Sequence, residues 1–183
     1  MSVMDEILAL YADRGDDAYF GECVSIAEHG LQAAHFARAA GAPPALIVAA
    51  LLHDVGHLID NAPDDLAEWT EDAAHERVGG RWLAERFPAE VSEPVRLHVP
   101  AKRYLLATDP DYLAKLSPAS LVTLKLQGGP MSLEEAAHFE GERFHREAVL
   151  VRRCDDDGKV AGLATAGLLD YRHMIEALSL PHP

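Results

Sequence analysis

Two histidines flank an aspartate in the segment LLHDVGH, residues 51 to 57, which directly follows an apolar run beginning at Pro43. This spacing predicts one continuous helix, with His53 and His57 one turn apart on a shared face and Asp54 about 100° round the axis. Such an apolar helix belongs in a core, where an unpartnered imidazole or carboxylate costs roughly 2–7 kcal/mol. A metal ion would satisfy these groups, and Asp54 could reach a second ion beside the first.

A lone His-Asp pair is weak evidence, because a core histidine bonded to a carbonyl and a capping aspartate give the same pattern. The rest of the chain adds His29, His75 and His98, each in or at the end of a predicted helix, and an acidic cluster at 155 to 157. These donors are nitrogen and oxygen without a thiolate, which suits Fe, Mn, Zn, Co or Ni and disfavours a structural zinc site. Two close metals could activate a water at a phosphoryl group or, as iron, bind dioxygen.

Composition predicts a soluble, globular protein with one domain over its 183 residues, since 49% are hydrophobic and 25% are charged. The net charge of −14 argues against a nucleic-acid or anionic-membrane partner. No apolar run reaches the ~18 residues of a membrane span, and the acidic N-terminus is unlike a signal peptide, so we expect a cytoplasmic protein. Cys23 and Cys154 form no CxxC motif and predict no disulfide framework.

The periodicity of the apolar residues predicts helices almost throughout and no strand of any length. Ser25 and Ser132 open helices with capping boxes, Gly41 ends the first of these, and Pro43 with Pro44 begins the central helix. The sequence therefore predicts an all-α, single-domain helical bundle with a dinuclear metal site at its centre.

Four local expectations follow for the remaining elements. The helix carrying the last candidate histidine should begin near Ser92 and end at Pro100. The glycine pair at 79 and 80 should interrupt its helix and allow close helix packing. The arginine pair at 152 and 153 should be exposed, and the polar loop at 61 to 72 could act as a lid.

The ordered motifs resemble the HD-domain superfamily of helical metal proteins over nearly the whole chain. Most members are phosphohydrolases, and a smaller branch contains mixed-valent diiron oxygenases such as myo-inositol oxygenase. Within that branch the chain is most similar to the 1-hydroxyphosphonate dioxygenases. The resemblance rests on YFGE at 19 to 22, EHGLQAA at 28 to 34, LLHDVGH at 51 to 57, HE at 75 and 76, LHVPAKRYL at 97 to 105, SPAS at 117 to 120, LQGGPMS at 126 to 132 and RRCDDDGK at 152 to 159.

The resemblance implies a metal-binding core at about 19 to 160 that holds two iron ions, Fe(II) and Fe(III), with dioxygen as co-substrate. Asp54 would bridge the ions, and Asp155 is chosen as the late ligand by spacing, with Asp156 left open. The implied ligands are His29, His53, Asp54 and Asp155 for one ion, and Asp54, His75 and His98 for the other.

The resemblance also implies the groups that handle the substrate. Tyr19, held by Glu22, would occupy an iron position until substrate displaces it. The implied phosphonate contacts are His57, Lys102, Ser120 and, less directly, Gln127.

The implied reaction is oxidative cleavage of a C–P bond, which gives phosphate and a carboxylic acid. The acid would be glycine from 2-amino-1-hydroxyethylphosphonate and glycine betaine from its N-trimethyl analogue. Simpler hydroxyphosphonates would give formate or acetate. Glu22, Trp69 and Tyr104 are candidates to face a cationic amine.

Two other functions stay open at this point. One is an HD-type phosphohydrolase acting on a phosphate ester or a nucleotide, which would use non-redox metals; the YFGE and LQGG motifs argue against it. The other is a degenerate HD module that binds a ligand without turnover, although all six ligand types are present. The sequence also leaves open whether the protein forms a homodimer.

Overall fold

The computed structural model describes residues 1–59 and 74–181, and within these ranges the chain is all-α, as predicted. No strand occurs in them; an isolated bridge between Ala18 and Ser25 is the only β-type pairing. Short 3-10 helices lie at Tyr112–Lys115 and Leu168–Tyr171. The α-helices of the described ranges are α1 (Val3–Arg14), α2 (Ile26–Ala39), α3 (Pro44–Leu51), α4 (Val55–Ile59), α5 (His75–Ala84), α6 (Ala89–Thr108), α7 (Pro118–Leu126), α8 (Leu133–Glu140), α9 (His145–Asp157) and α10 (Arg172–Leu178).

The helix starts follow the local signals in the sequence. Ser25 and Ser132 both form capping boxes: each side chain accepts from the backbone N–H three residues on, and that residue's carboxylate accepts from the serine N–H. Gly41, just beyond α2, has φ of +73°, a left-handed conformation that suits glycine. Pro43 precedes α3 with an extended backbone.

The apolar helix α3 lies at the centre of the main hydrophobic core. Its residues 46 to 51 are all buried, and α1, α2, α6, α9 and α10 contribute to the same core. The long helix α6 packs against α9, α5 and α3, while α2 packs against α3 and α9. The helices that carry the candidate ligands therefore share one core.

The prediction of a continuous helix through LLHDVGH is wrong. Helix α3 ends at Leu51, and Leu52 takes φ of −108° and ψ of 12° before α4 begins at Val55. Tight i to i+3 hydrogen bonds cross the break, from Val55 N–H to the Leu52 carbonyl and from His57 N–H to the Asp54 carbonyl. Because His53 and Asp54 lie in this turn, their directions are set by the turn rather than by the 3.6-residue period.

Two further local predictions are corrected. Helix α6 begins at Ala89 and continues through Pro94 and Pro100 to Thr108, since packing along α5, α9 and α3 outweighs the ~3 kcal/mol that an internal proline costs. Arg152 is buried, at 3% exposure, because its guanidinium pairs with carboxylates inside the fold.

The glycine pair in α5 does not interrupt that helix, although the predicted close packing is confirmed. A Cβ atom on Gly79 would lie 3.1 Å from the backbone nitrogen of Gly56, and one on Gly80 would lie 2.9 Å from Cβ of Arg96. The polar segment proposed as a lid, together with Trp69, lies outside the described residues. Of the helices in the described ranges, none combines the length and the apolar character that a membrane crossing needs.

Candidate metal centre

Four buried histidines meet in two pairs at the centre of the fold. Nε2 of His29, from α2, lies 3.0 Å from Nε2 of His53 in the turn after α3. Nε2 of His75, at the start of α5, lies 3.2 Å from Nε2 of His98 on α6. All four rings are less than 10% exposed. The structure thus brings together every histidine predicted to bind metal.

Backbone carbonyls fix the tautomers of three of these rings. Nδ1 of His29, His53 and His98 lies 2.7 to 2.8 Å from the carbonyl oxygens of Gly158, Ala50 and Val95, respectively. A carbonyl only accepts, so each Nδ1 carries a proton, and in this tautomer the Nε2 lone pair points inward. Two lone pairs facing each other at 3.0 Å in the His29–His53 pair repel unless a cation lies between them.

The carboxylate of Asp54 lies between the two pairs and turns one oxygen toward each. Its Oδ2 is 3.6 Å from Nε2 of His29 and 3.4 Å from Nε2 of His53. Its Oδ1 is 3.3 Å from Nε2 of His75 and 3.6 Å from Nε2 of His98. This is the arrangement of a carboxylate that bridges two ions.

Asp155, in the last turn of α9, adds a second carboxylate to the His29–His53 pair. Its Oδ1 lies 3.4 Å from Nε2 of His29, and its Oδ2 lies 3.9 Å from Nε2 of His53. Asp156 instead pairs with Arg152 and accepts from the hydroxyl of Tyr112. Of the two candidates for the late ligand, Asp155 is the one whose carboxylate lies beside the histidines.

The residues present fit two metal ions. Ligands about 2.1 Å from one ion lie roughly 3.0–3.4 Å apart along the edges of an octahedron or tetrahedron, close to the separations measured here. Two donor groups, His29 with His53 and Asp54, and Asp54 with His75 and His98, each have ligand atoms within 4.8 Å of one another. The inward lone pairs and the shared carboxylate supply nitrogen and oxygen donors on both sides.

The electrostatics favour the deprotonated form of four proposed ligands, whereas the pKa of His75 is raised because its hydrogen bond to Asp54 and the charge of that carboxylate outweigh the effect of burial. Burial lowers the pKa of His53 and lowers that of His98 well below its usual range. Burial alone would raise the pKa of Asp54, but its electrostatic interaction with His53 and its hydrogen bond from His75 hold it well below its usual range. The pKa of Asp155 is likewise well below its usual range, because Arg152 and Lys159 outweigh the effect of burial. Each of these four groups is therefore in the form that binds a metal.

The YFGE loop closes one side of the site. The hydroxyl of Tyr19 donates to Oδ2 of Asp54 at 2.6 Å, and the Tyr19 ring stacks on His29 with 4.0 Å between centroids. Phe20 has φ of 45° and Gly21 has φ of 79°, so the loop reverses through two left-handed residues. Oε1 of Glu22 is buried and has no hydrogen-bond partner among the described residues.

A pocket opens beside the metal ligands, with about 430 Å³ of empty space including its mouth. It brings together Tyr19, Glu22, His57, Lys102, Ser120 and Gln127, which are the residues predicted to cover the iron or to contact the phosphonate. The ring of His57 stacks on that of His75 with 3.9 Å between centroids. Tyr104 is not among the lining residues; its hydroxyl donates to Glu140 at the surface, 2.8 Å away.

Lys102 is buried at 2% exposure, and its ammonium donates to the hydroxyl of Thr123 at 3.1 Å. Burial, reinforced by the nearby charge of Arg152, lowers the pKa of Lys102 to about 7. Within the described residues, no carboxylate pairs with this ammonium. The pocket thus holds a cation whose charge faces open space.

Three polar lining residues were missed by the sequence reasoning. Thr123 lies one turn after Ser120 on α7 and contacts Lys102. Nη1 of Arg152 donates to Oδ2 of Asp155 at 2.7 Å, and Nζ of Lys159 donates to Oδ1 of the same carboxylate at 2.8 Å. The available signal for Arg152 was helical spacing, since it precedes Asp155 by three residues on α9, whereas Lys159 lies just beyond the end of that helix.

Comparison with known proteins agrees with this geometry. A family model described as the HD domain matches residues 26–156. The chain is 41% identical, over 99% of its length and 92% of the relative's, to a [1-hydroxy-2-(trimethylamino)ethyl]phosphonate dioxygenase (glycine-betaine-forming) of Leisingera caerulea. It is 44% identical, over 93% of its length and 85% of the relative's, to a hydroxymethylphosphonate dioxygenase of Gimesia maris. An uncharacterised protein of Acanthamoeba polyphaga mimivirus is 35% identical over 96% of this chain and 82% of its own.

The family match covers more than half of the chain. Of the five segments that supply proposed metal ligands, it includes four completely, and it includes the fifth, α9, as far as Asp156. The predicted resemblance is confirmed, and the chain belongs to the HD-domain family and, within it, groups with the phosphonate dioxygenases.

Proposed function

We propose that this protein is a 1-hydroxyphosphonate dioxygenase, which uses dioxygen to cleave the C–P bond of its substrate. The observation that carries the proposal is the Asp54 carboxylate between two histidine pairs, with the unpaired ammonium of Lys102 in the adjoining pocket. The names of two relatives that align over nearly the whole chain support the same activity.

The two ions are proposed to be iron in a mixed-valent Fe(II)/Fe(III) pair. One ion would be held by His29, His53 and Asp155. The other would be held by His75 and His98, and Asp54 would bind both ions. Such a centre supplies the redox chemistry that dioxygen activation requires. The proposed core at 19 to 160 is consistent with the pocket, whose lining residues run from Tyr19 to Lys159.

The residues of the pocket would bind and orient the phosphonate. Lys102 offers a charge-assisted hydrogen bond, and the hydroxyls of Ser120 and Thr123 lie on the same side because both belong to the inner face of α7. His57 and Gln127 line the same cavity, and Oε1 of Gln127 has no hydrogen-bond partner in the described part of the chain. Together these groups would hold the phosphonate while the carbon that bears the hydroxyl faces the metal centre.

Tyr19 is proposed to cover the centre until substrate arrives. Its hydroxyl donates to Asp54 at 2.6 Å, and burial raises the pKa of Tyr19 well above its usual range, so the phenol stays protonated. Glu22 faces the same pocket with a buried carboxylate oxygen. An ammonium group on the substrate would find its charge partner there, as in 2-amino-1-hydroxyethylphosphonate or its N-trimethyl analogue.

The proposed reaction balances with dioxygen as the only co-substrate. One 1-hydroxyphosphonate dianion and one dioxygen molecule give one carboxylate, one hydrogen phosphate and one proton. The C–P bond and the C1–H bond break, and C1 is oxidised to the level of a carboxylic acid. Glycine, glycine betaine or formate would result, depending on the group attached to C1.

The decisive experiment measures phosphate release by the iron-loaded protein from a panel of 1-hydroxyphosphonates, under air and under argon. The panel should contain the amino, trimethylamino and hydroxymethyl compounds. Release that requires dioxygen is expected, with the best substrate showing whether a cationic amine is preferred. Equal release under argon would indicate hydrolysis, and no release from any member would contradict the proposal.

A further inference from the structure

Asp156 follows Asp155 directly, but its carboxylate turns away from the metal centre. Oδ1 accepts from Nη2 of Arg152 in a very close contact, and Oδ2 accepts from Nε of the same guanidinium at 3.3 Å. The hydroxyl of Tyr112, on the 3-10 helix after α6, also donates to Oδ2. The Asp156 carboxylate thus forms a bidentate ion pair with the Nε and Nη2 edge of the Arg152 guanidinium.

The other end of Arg152 reaches a proposed metal ligand. Nη1 donates to Oδ2 of Asp155 at 2.7 Å, while Nε also donates to the Tyr112 hydroxyl at 2.9 Å. Arg152 is 3% exposed and Tyr112 is 1% exposed, so water does not compete for these contacts. Every nitrogen of the guanidinium therefore donates a hydrogen bond. Asp156 and Tyr112 hold the side of the guanidinium that faces away from Asp155.

We propose that Asp156 and Tyr112 are positioning residues that hold Arg152 against Asp155 and so set the affinity of the ion between His29 and His53. The inference rests on the proposed dinuclear centre and deepens it. A ligand carboxylate that is oriented by outer hydrogen bonds binds its ion with less loss of freedom, and the loss of such a partner typically weakens metal binding about 10–100-fold.

The effect should be confined to one of the two ions. Asp155 lies 3.4 Å from Nε2 of His29 and 3.9 Å from Nε2 of His53, whereas the carboxylate within 4 Å of Nε2 of His75 and of His98 is that of Asp54. Lys159 holds the other oxygen of Asp155 at 2.8 Å, so a variant at Tyr112 loosens the carboxylate without releasing it.

The test is a metal titration of two variants, Tyr112→Phe and Asp156→Asn, without substrate or dioxygen. Tyr112→Phe keeps the ring in its core cluster with Leu105, Leu116 and Leu124 and removes only the hydroxyl. The metal-free proteins are titrated with Co²⁺, followed by calorimetry and by the cobalt absorption spectrum. Each variant should bind one ion about 10–100-fold more weakly than the wild type and the other ion with unchanged affinity.

Tyr104→Phe is the matched control, because it also removes a tyrosine hydroxyl that donates to a carboxylate, here Glu140 at 2.8 Å on the surface. It should bind both ions as the wild type does. Wild-type affinity for both ions in Asp156→Asn, or equal weakening of both, would overturn the proposal even if Tyr112→Phe fails to fold. A wild-type protein without dioxygen-dependent phosphate release would contradict the proposed activity, while the one-ion effect would still support this inference.

Discussion

Lys102 differs from Arg152 and Lys159, the other two cations of the pocket, because it forms no ion pair with a carboxylate of the described residues. Arg152 pairs with Asp155 and Asp156, and Lys159 pairs with Asp155, so both charges are already balanced inside the protein. Among the described residues, the ammonium of Lys102 donates a hydrogen bond only to the neutral hydroxyl of Thr123. An incoming phosphonate is the group that would balance this buried ammonium.

The substitution Lys102→Ala should therefore weaken the binding of the phosphonate and leave the metal in place. A hydrogen bond to a charged group contributes about 1.5–3 kcal/mol, so KM should rise roughly 10- to 150-fold. The measurement is KM for the best hydroxyphosphonate together with the metal content of the purified variant. Lys125→Ala, at an exposed position of α7, is the control and should match the wild type. Loss of iron from Lys102→Ala, or an unchanged KM, would contradict the role.

The lowered pKa of Lys102 also predicts how stability depends on pH. Its pKa is about 7 in the folded protein and about 10.5 when unfolded, so between these values unfolding takes up one proton. The free energy of unfolding contributed by this group therefore rises with pH, by at most about 1.4 kcal/mol per pH unit from about pH 7 toward pH 10.

Urea unfolding of the metal-free protein at pH 7 and pH 9 should show this rise. Lys102→Met keeps the length of the side chain and removes the titration, so its free energy of unfolding should change less over the same interval. Comparing the two proteins cancels the other groups that titrate in this range. Equal pH dependence in both would show that Lys102 has an ordinary pKa.

At the scale of elements, the sequence predicted which helices exist better than where the chain turns. The capping serines and the apolar periods gave α2, α3 and α8 because those signals are local. The break between Leu51 and Val55 has no glycine or proline to mark it, and it places His53 and Asp54 beside ligands from four other helices, α2, α5, α6 and α9. Tertiary contacts also carry α6 through Pro100.

The candidate site was predicted more completely than its surroundings. The order of the motifs indicated the family, and the resemblance to that family implied six metal ligands. All six converge in the structure. The pairing of Arg152 with Asp155 and Asp156 was missed, since a run of charged residues in a helix usually faces solvent. Only the fold shows that this end of α9 points inward.

The contact between α4 and α5 depends on glycine at position 56. A Cβ atom there would lie 2.0 Å from the carbonyl oxygen of His75 and 3.1 Å from the backbone nitrogen of Gly79, and neither atom can turn aside. Gly56→Ala should therefore separate the two helices and move His57 away from His75. We expect a loss of about 1–3 kcal/mol in the free energy of unfolding, as for other overpacked cores.

Thermal unfolding and metal content would test this expectation. The control is Gly167→Ala, an exposed site with φ of −80° where the nearest atom to a new Cβ lies 3.7 Å away. That variant should be within about 0.5 kcal/mol of the wild type. If Gly56→Ala is as stable as the wild type and binds two ions, α4 and α5 can accommodate the extra methyl group and the prediction is wrong.

At the scale of the whole molecule, the metal centre ties together segments that are distant in the sequence. Its proposed ligands run from His29 on α2 to Asp155 on α9, and they include the turn after α3 and the helices α5 and α6. The Nε2 atoms of its two histidine pairs lie 3.0 and 3.2 Å apart in the core, so one ion would be held by ligands from several helices at once. Metal binding should thus stabilise the entire domain rather than one loop.

Removal of the metal should lower the Tm strongly. An ion present at 1,000 times its Kd stabilises the folded state by about 4.1 kcal/mol, and in a domain of this size 1 kcal/mol shifts Tm by about 2–4 °C. Chelation of one such ion should therefore lower Tm by about 8–16 °C, with full recovery when iron is restored. Asp54→Ala removes the bridging carboxylate, so it should lack this response, while the exposed-site variant His138→Ala should keep it. A chelator shift of equal size in Asp54→Ala would show that the ions bind elsewhere, because the bridge between the histidine pairs would then have no part in holding them.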